Sequence, residues 1–159
     1  LSCDTAYKKD DHNDPSVILV FGVTKNRYDL IDIHKGKWEY PQIKRNIINM
    51  ALKWNANGIL IEDKASGQSL LQEYRSETRL PVIARQPEGD KETRARAESP
   101  AVEAGIMYLP NQAPWLIDFE QEIVTFPNSE YKDQVDALSQ FLNYMRERRL
   151  TPQPRIRRL

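Results

Sequence analysis

The chain has 159 residues, of which 40% are hydrophobic and 29% are charged, and this is ordinary for a globular domain with one core. Its 23 basic and 23 acidic side chains cancel, which argues mildly against a dedicated DNA-binding module, because such modules usually carry a basic excess. We expect no membrane span, no signal peptide and, with Cys3 as the single cysteine, no internal disulfide.

The first part of the chain is predicted to form strands. Residues 1–4 look like the end of a strand that stops at Asp4, so we expect the chain to be a fragment of a longer protein. Ser16–Val23 is a continuous run of β-branched and aromatic residues, which is typical of a buried strand. Residues 27–34 alternate apolar and polar side chains, and the short connection at 24–26 indicates a hairpin between these two strands.

Helices alternate with short strands from Pro41 onward. Pro41 opens a helix with apolar residues at helical spacing, and Asn57-Gly58 ends that helix. The apolar run at 58–62 predicts a strand that ends at Glu62. The elements expected after it are a helix at 67–77, a strand at 81–84, a charged helix at 90–103 that Pro100 could interrupt, a strand at 106–109, and helices at 115–125 and 131–149.

This order of elements predicts one α/β domain over residues 1–150. Three antiparallel strands followed by parallel strands would form a mixed sheet, and the helices would flank it. The strand-helix-strand steps are expected to be right-handed crossovers. The basic tail at 151–159, with two prolines and three arginines, is expected to be disordered.

Acidic residues lie at the ends of several predicted elements. Asp4 ends the first strand, and Glu62, followed by Asp63, ends the fourth. Asp133 and Asp136 lie in the first turns of the last helix. Carboxylates gathered from separate elements suit Mg²⁺ or Mn²⁺, which are hard cations that prefer oxygen ligands.

Each of these acids also has an ordinary explanation when it is taken singly. An acid after a strand is most often a solvated loop residue, and the dipole of a helix favours an acid in its first turn without any function. The order of the acids on this pattern of strands and helices is therefore more informative than any one of them.

Four segments of the sequence resemble the nuclease domains of tailed-phage terminase large subunits. The segment SCDTAYKKDDHNDPSVILVFGV resembles the first acidic motif of that family, and GILIEDKASGQSLLQEY resembles the second. KDQVDALSQFL resembles the third acidic motif. GDKETRARAESPAVEAGIMYLP resembles the basic segment that lies between the second and third motifs. The resemblance covers about residues 2–145.

The resemblance implies a ribonuclease H-like fold and an endonuclease that cuts double-stranded DNA during genome packaging with two Mg²⁺ or Mn²⁺ ions. It implies that Asp4, Glu62 and Asp133 are the catalytic metal ligands, with Asp14 and Asp136 as supporting acids. Asp63 is the alternative to Glu62 if the register is off by one residue.

The family also implies partners and a location. We expect double-stranded DNA, an ATPase motor domain, a terminase small subunit and a portal protein as partners, in the cytoplasm of a bacterial host. A Walker-type phosphate loop is not present, because neither Gly67 nor Gly89 has the required spacing or a following Lys-Ser/Thr. The chain itself is therefore expected to cut DNA but not to hydrolyse ATP.

Basic residues near the acidic motifs are candidates for DNA contacts. Lys91, Arg94 and Arg96 could bind phosphates without sequence preference, although a solvated helix face explains them equally well. Lys64 could contact the scissile phosphate or pair with an acid of the site.

Two alternatives remain open at this stage. The chain could be another nuclease of the same fold, such as a junction resolvase or a ribonuclease that cuts RNA–DNA hybrids. It could instead be a catalytically inactive docking module of a packaging assembly, although the presence of all three motif acids speaks against that.

Overall fold

A computed structural model describes residues 1–5, 14–63, 65–86 and 89–150, with the backbone alone at residues 65, 66 and 150. Lys64 and the predicted tail at 151–159 lie outside the described residues. The strands are β1 (Ser2–Asp4), β2 (Ser16–Val23), β3 (Tyr28–Gly36), β4 (Ile59–Glu62), β5 (Val82–Arg85) and β6 (Met107–Tyr108). The helices are α1 (Tyr40–Lys53), α2 (Ala65–Glu77), α3 (Lys91–Glu103), α4 (Leu116–Thr125) and α5 (Asp133–Leu150).

The strands form one six-stranded mixed sheet in the order β5-β4-β1-β2-β3-β6. β1, β2 and β3 pair antiparallel, whereas β4 pairs parallel with β1, β5 with β4, and β6 with β3. This arrangement confirms the α/β fold with a mixed sheet that the sequence predicts.

The central strands are buried on both faces of the sheet, which explains the unbroken apolar run in β2. Ile18 and Val20 point into a core that α1 and α2 cover. Val17 and Leu19 point into the opposite core, which α4 and α5 cover. Because neighbouring residues of a strand point to opposite faces, a strand between two cores must be apolar at every position.

Helix α3 continues through Pro100, although the sequence allowed for an interruption of the helix at this residue. A proline has no N–H, so the carbonyl of Arg96 loses its usual helical donor at this point. The hydroxyl of Ser99 donates to that carbonyl instead, at 3.2 Å. The local hydrogen bond helps α3 to continue to Glu103.

Gly67 allows α2 to pack directly against the end of β4. A Cβ atom placed on Gly67 would lie 1.8 Å from the backbone oxygen of Glu62, a distance at which the backbone must move. The missing side chain therefore fixes how closely α2 approaches the strand that carries Glu62.

Gly67→Ala is expected to push α2 away from β4 and to destabilise the domain. Overpacking of this kind costs about 1–3 kcal/mol or more, and each kcal/mol lowers the melting temperature of a domain of this size by about 2–4 °C. Thermal melts followed by circular dichroism would measure the loss. Gly58→Ala is the control, because its Cβ would make an ordinary contact of 3.4 Å with Ile83. Equal melting temperatures for the two variants would contradict the close approach at Gly67.

Candidate active site

Two parallel strands bring the first two acids to one edge of the sheet. β1 ends at Asp4 and its parallel neighbour β4 ends at Glu62, with Cys3 opposite Ile61 in the register. Because the strands are parallel and adjacent, their carboxyl ends meet at the same edge. This edge is where ligand sites form in open α/β sheets.

Helix α5 adds the other two acids because it is docked across β1. The hydroxyl of Ser2 donates to the carbonyl of Ala137 at 2.7 Å, and the side-chain amide of Gln140 donates to the Ser2 hydroxyl at 2.9 Å. This docking sets the first turns of α5, with Asp133 and Asp136, beside the end of β1. We call Asp4, Glu62, Asp133 and Asp136 the acidic cluster.

Two cations from the start of α3 lie among these carboxylates. The Nζ atom of Lys91 is 3.9 Å from Asp4, 3.6 Å from Asp133 and 2.5 Å from Asp136. Arg94 is 2.7 Å from Asp136 and 3.5 Å from Glu62. Lys91 and Arg94 therefore join all four acids of the cluster.

Burial and mutual repulsion make two of these acids, Asp4 and Asp133, hard to ionise. Burial, followed by the charge of Asp136, raises the pKa of Asp4 well above its usual range, and Lys91 only partly opposes this rise. Burial also raises the pKa of Asp133 to about 6, against the opposing effect of Lys91. For Lys91 burial disfavours the charged form, but Asp4 and Asp136 raise its pKa above the ordinary value. The charge of Lys91 therefore does not cancel the effect of burial on Asp4 and Asp133.

The residues fit a divalent metal by donor type and by charge. Four carboxylates supply the oxygen ligands that Mg²⁺ and Mn²⁺ prefer. The Oδ2 atom of Asp133 is buried and accepts no hydrogen bond from any described residue. Across that same part of the chain, however, no three His, Cys, Asp or Glu side chains are arranged as a ready ligand group. A cation would therefore need the carboxylates to turn from Lys91 towards it.

A cavity of about 330 Å³ adjoins the cluster between α3 and α5. It is lined by Asp4, Glu62 and Asp136, and also by Arg85 and Arg146. Both arginines are paired with glutamates, Arg85 with Glu147 and Arg146 with Glu98.

The other acids expected from the sequence lie outside the contacts of the cluster. Asp14 is exposed just before β2, and its charge contributes to the raised pKa of Asp133. The carboxylate of Asp63 accepts a hydrogen bond from the side chain of Gln86 at 2.9 Å. Of the three α3 residues expected to bind DNA, only Arg96 has a largely exposed side chain, at 81%.

One functional candidate was missed by sequence reasoning. Glu122 on α4 is 5% exposed and bonds to the start of α5. Its position on the buried face of α4, beside Phe119 and Ile123, is the signal that could have identified it, because an acid on an apolar face needs a partner.

Comparison with known families gives a match over nearly the whole described domain. The family model for the terminase RNaseH-like domain matches residues 1–145. The chain belongs to this family. The domain is thus a ribonuclease H-like domain of the terminase type.

A solved structure of a phage large terminase shares this fold. The large terminase of a thermophilic bacteriophage superposes with a TM-score of 0.66 at 13% identity, covering 91% of this chain and 38% of that one. The resolvase of Fowlpox virus, solved with Holliday junction DNA, gives a TM-score of 0.49 at 18% identity, covering 84% of this chain and 91% of that one. The chain thus spans less than half the length of the thermophilic phage protein. A comparison with curated protein sequences finds no match.

This terminase RNaseH-like domain has no helix, within the described ranges, that is both long enough and apolar enough to cross a bilayer.

The raised pKa of Asp133 gives a pH dependence that Asp133→Asn should remove. Its folded pKa is about 6 and its unfolded pKa is about 3.9, so between these values the folded state binds more protons. This difference lowers the stability of the wild type as pH rises through that window. In EDTA, Asp133→Asn should therefore melt close to wild type near pH 4 and several degrees above it at pH 7. A difference in melting temperature that stays constant over this range would contradict the assignment.

Proposed function

We propose that the domain is a metal-dependent endonuclease that hydrolyses phosphodiesters of double-stranded DNA with two Mg²⁺ or Mn²⁺ ions. The observation that carries the proposal is the convergence of Asp4, Glu62, Asp133 and Asp136 from three elements on one sheet edge. Membership of the terminase nuclease family supports the same chemistry.

The four acids would divide the work of holding the metal ions. Asp4 at the end of β1, Glu62 and Asp133 would be the ligands that hold the ions, and Asp136 would support them. When bound, the ions would lower the pKa of an attacking water and neutralise the charge that develops on the phosphate. The rigid strand ends and the docked α5 would keep the carboxylates in place during the reaction.

The basic residues would hold the DNA backbone. Arg96 is exposed on α3, and Lys64 follows directly after Glu62 and Asp63 in the sequence. Lys91 and Arg94 are engaged with the acidic cluster, so they would become available to phosphates when divalent ions take over the carboxylates. Contacts of this kind give affinity without reading the base sequence.

The setting of this activity follows from the family. The large terminase of the thermophilic phage is more than twice as long as the part that matches this chain, so further segments would accompany the nuclease in such a protein. An ATPase motor domain, a terminase small subunit and a portal protein would be the partners during packaging of a phage genome. The reaction would take place in the cytoplasm of the bacterial host.

Asp4→Asn and Glu62→Gln are each expected to abolish cleavage, because each removes the charge of a direct metal ligand while keeping its size. Changes to the outer partners of metal ligands already cost about 10–100-fold, so each of these losses should exceed about 100-fold. Nicking of supercoiled plasmid in Mn²⁺ would measure it. Asp63→Asn is the matched control, since Asp63 adjoins Glu62 but bonds to Gln86.

If Asp63→Asn is the inactive variant, the second metal ligand is assigned one residue too early. If the wild type itself does not nick DNA in Mn²⁺ or Mg²⁺, the domain acts as a docking module and the proposed function fails.

Lys91→Met is expected to strengthen Mn²⁺ binding, because it removes the ammonium group that shares three carboxylates with the metal. A gain of about 1.4 kcal/mol would lower the dissociation constant tenfold. Electron paramagnetic resonance of free Mn²⁺ would measure this constant, and melting in EDTA should show a less stable apo domain.

Arg96→Met on the same helix is the control for Lys91→Met, because the Arg96 side chain is exposed and its ion pair in the described part of the chain is with Glu92, at 4.0 Å. Weaker Mn²⁺ binding by Lys91→Met would mean that Lys91 assists the metal complex instead of competing with it.

A further inference from the structure

Helix α5 begins without a residue that can cap it. The carbonyl of Lys132 accepts the first helical hydrogen bond, from the N–H of Asp136 at 3.0 Å, so Lys132 is the N-cap residue. A lysine side chain has donors but no acceptor. The N–H groups of Gln134 and Val135, which an N-cap side chain would normally satisfy, must therefore bond elsewhere.

Glu122 supplies the missing cap from the neighbouring helix α4. One carboxylate oxygen accepts from the N–H groups of Gln134 and Val135 at 2.7 and 3.2 Å. The other oxygen accepts from the side-chain amide of Gln134 at 2.6 Å and from Lys35 at 3.3 Å. Each oxygen of the buried Glu122 thus has two donors, and Lys35 from β3 offsets its charge.

The cap from Glu122 determines which groups the Asp133 carboxylate can bond to. Asp133 is the first residue of α5, and short carboxylates at such positions readily bond to neighbouring backbone N–H groups. Here Glu122 already occupies the nearest of these groups. The carboxylate of Asp133 instead lies 3.6 Å from Lys91, and its Oδ2 atom is buried and accepts no hydrogen bond from the described part of the chain.

We propose that Glu122 is a positioning residue of the nuclease site, which caps α5 from α4 and so leaves the Asp133 carboxylate free to bind a divalent cation. This inference rests on the proposed function. The outer partners of metal ligands orient those ligands and contribute to metal affinity in the same way. Glu122 acts one step further back, because it bonds to the backbone beside the ligand and not to the ligand.

Glu122→Ala should release the backbone N–H groups of α5, and Asp133 should then turn back to cap its own helix. The dissociation constant for Mn²⁺, measured on the 159-residue chain by paramagnetic resonance, should rise about tenfold or more. Glu122→Gln should bind Mn²⁺ nearly as well as wild type, because its amide oxygen can still accept from Gln134 and Val135. The new NH₂ group would face the side-chain NH₂ group of Gln134, so the Gln134 amide must flip. Its side-chain oxygen, which is buried and has no hydrogen-bond partner in the described chain, can then accept from residue 122.

A double mutant separates positioning from general stability. If Glu122 acts through Asp133, then Glu122→Ala/Asp133→Ala should bind Mn²⁺ no more weakly than Asp133→Ala alone. A residue that only stabilises the fold would add its loss to that of Asp133→Ala. Asp32→Ala is the matched control, because Asp32 joins β3 to α1 through Lys53 and Trp54 and should leave Mn²⁺ affinity unchanged.

A second comparison needs no metal. In EDTA, Asp133→Ala should melt at a higher temperature than the wild type, because it relieves repulsion in the acidic cluster. In the Glu122→Ala background the same change should lower the melting temperature, because Asp133 has become the cap. If Glu122→Ala does not fold, Glu122→Asp carries both tests, since it keeps the charge near Lys35 but withdraws the carboxylate from α5 by one methylene.

The outcomes distinguish the two proposals. If Asp133→Ala shifts the melting temperature with the same sign in the wild type and in the Glu122→Ala background, the positioning role is overturned, whether or not metal binds. The positioning role would also be overturned if Asp133→Ala weakened Mn²⁺ binding and Glu122→Ala did not. The metal site of the proposed function would still be supported in that case. A wild type that binds no Mn²⁺ would overturn the proposed function, and the reversal of sign in EDTA would still decide the role of Glu122.

Discussion

The repulsion among four carboxylates at one edge of the sheet is the constraint on which the rest of the domain depends. Asp4, Glu62, Asp133 and Asp136 arise from three elements, and burial makes the charged forms of Asp4 and Asp133 costly. Without metal, the cations of α3 offset part of that cost. The fold must hold α5 against β1 although the charges at this edge push them apart, and apolar packing along both faces of the sheet supplies the cohesion.

The topology of the sheet explains why these acids meet. β1 lies between β2 and β4, with Cys3 in the core that α1 and α2 cover and Ser2 bonded to α5 on the other face, so β1 cannot shift without disturbing both faces of the sheet. Its parallel pairing with β4 then fixes the distance between the two strand ends. Gly67 also restricts the position of this strand end, because α2 can approach the carbonyl of Glu62 this closely only if residue 67 has no side chain. Precision at the site therefore comes from backbone packing as much as from the acids themselves.

Patterns along the chain were enough to predict the sheet and the acids, but not the contacts between helices. β2 could be predicted from its apolar run, and Asp4 and Glu62 could be located because strand ends are readable in sequence. In the sequence, Lys91 was equally well explained as a phosphate contact or as a residue of a solvated helix face. Only the packing of α3 against α5 brings its ammonium group between the carboxylates. Glu122 was missed for a related reason, since an acid on the apolar face of α4 indicates that a partner is needed but does not indicate which helix it caps.

The anchoring of α3 determines how the site could respond to a metal. Beyond the acidic cluster, Glu98 is buried and pairs with Arg146 of α5 at 2.9 Å, and Asn143 donates to it as well. These bonds hold the middle of α3 whether or not the carboxylates carry a cation. Lys91 lies at the first residue of the helix, and its long side chain can leave the cluster by rotation alone. A divalent ion could therefore replace one ammonium group without moving α3 as a whole, and the charge released would remain beside the site, where a DNA phosphate could use it.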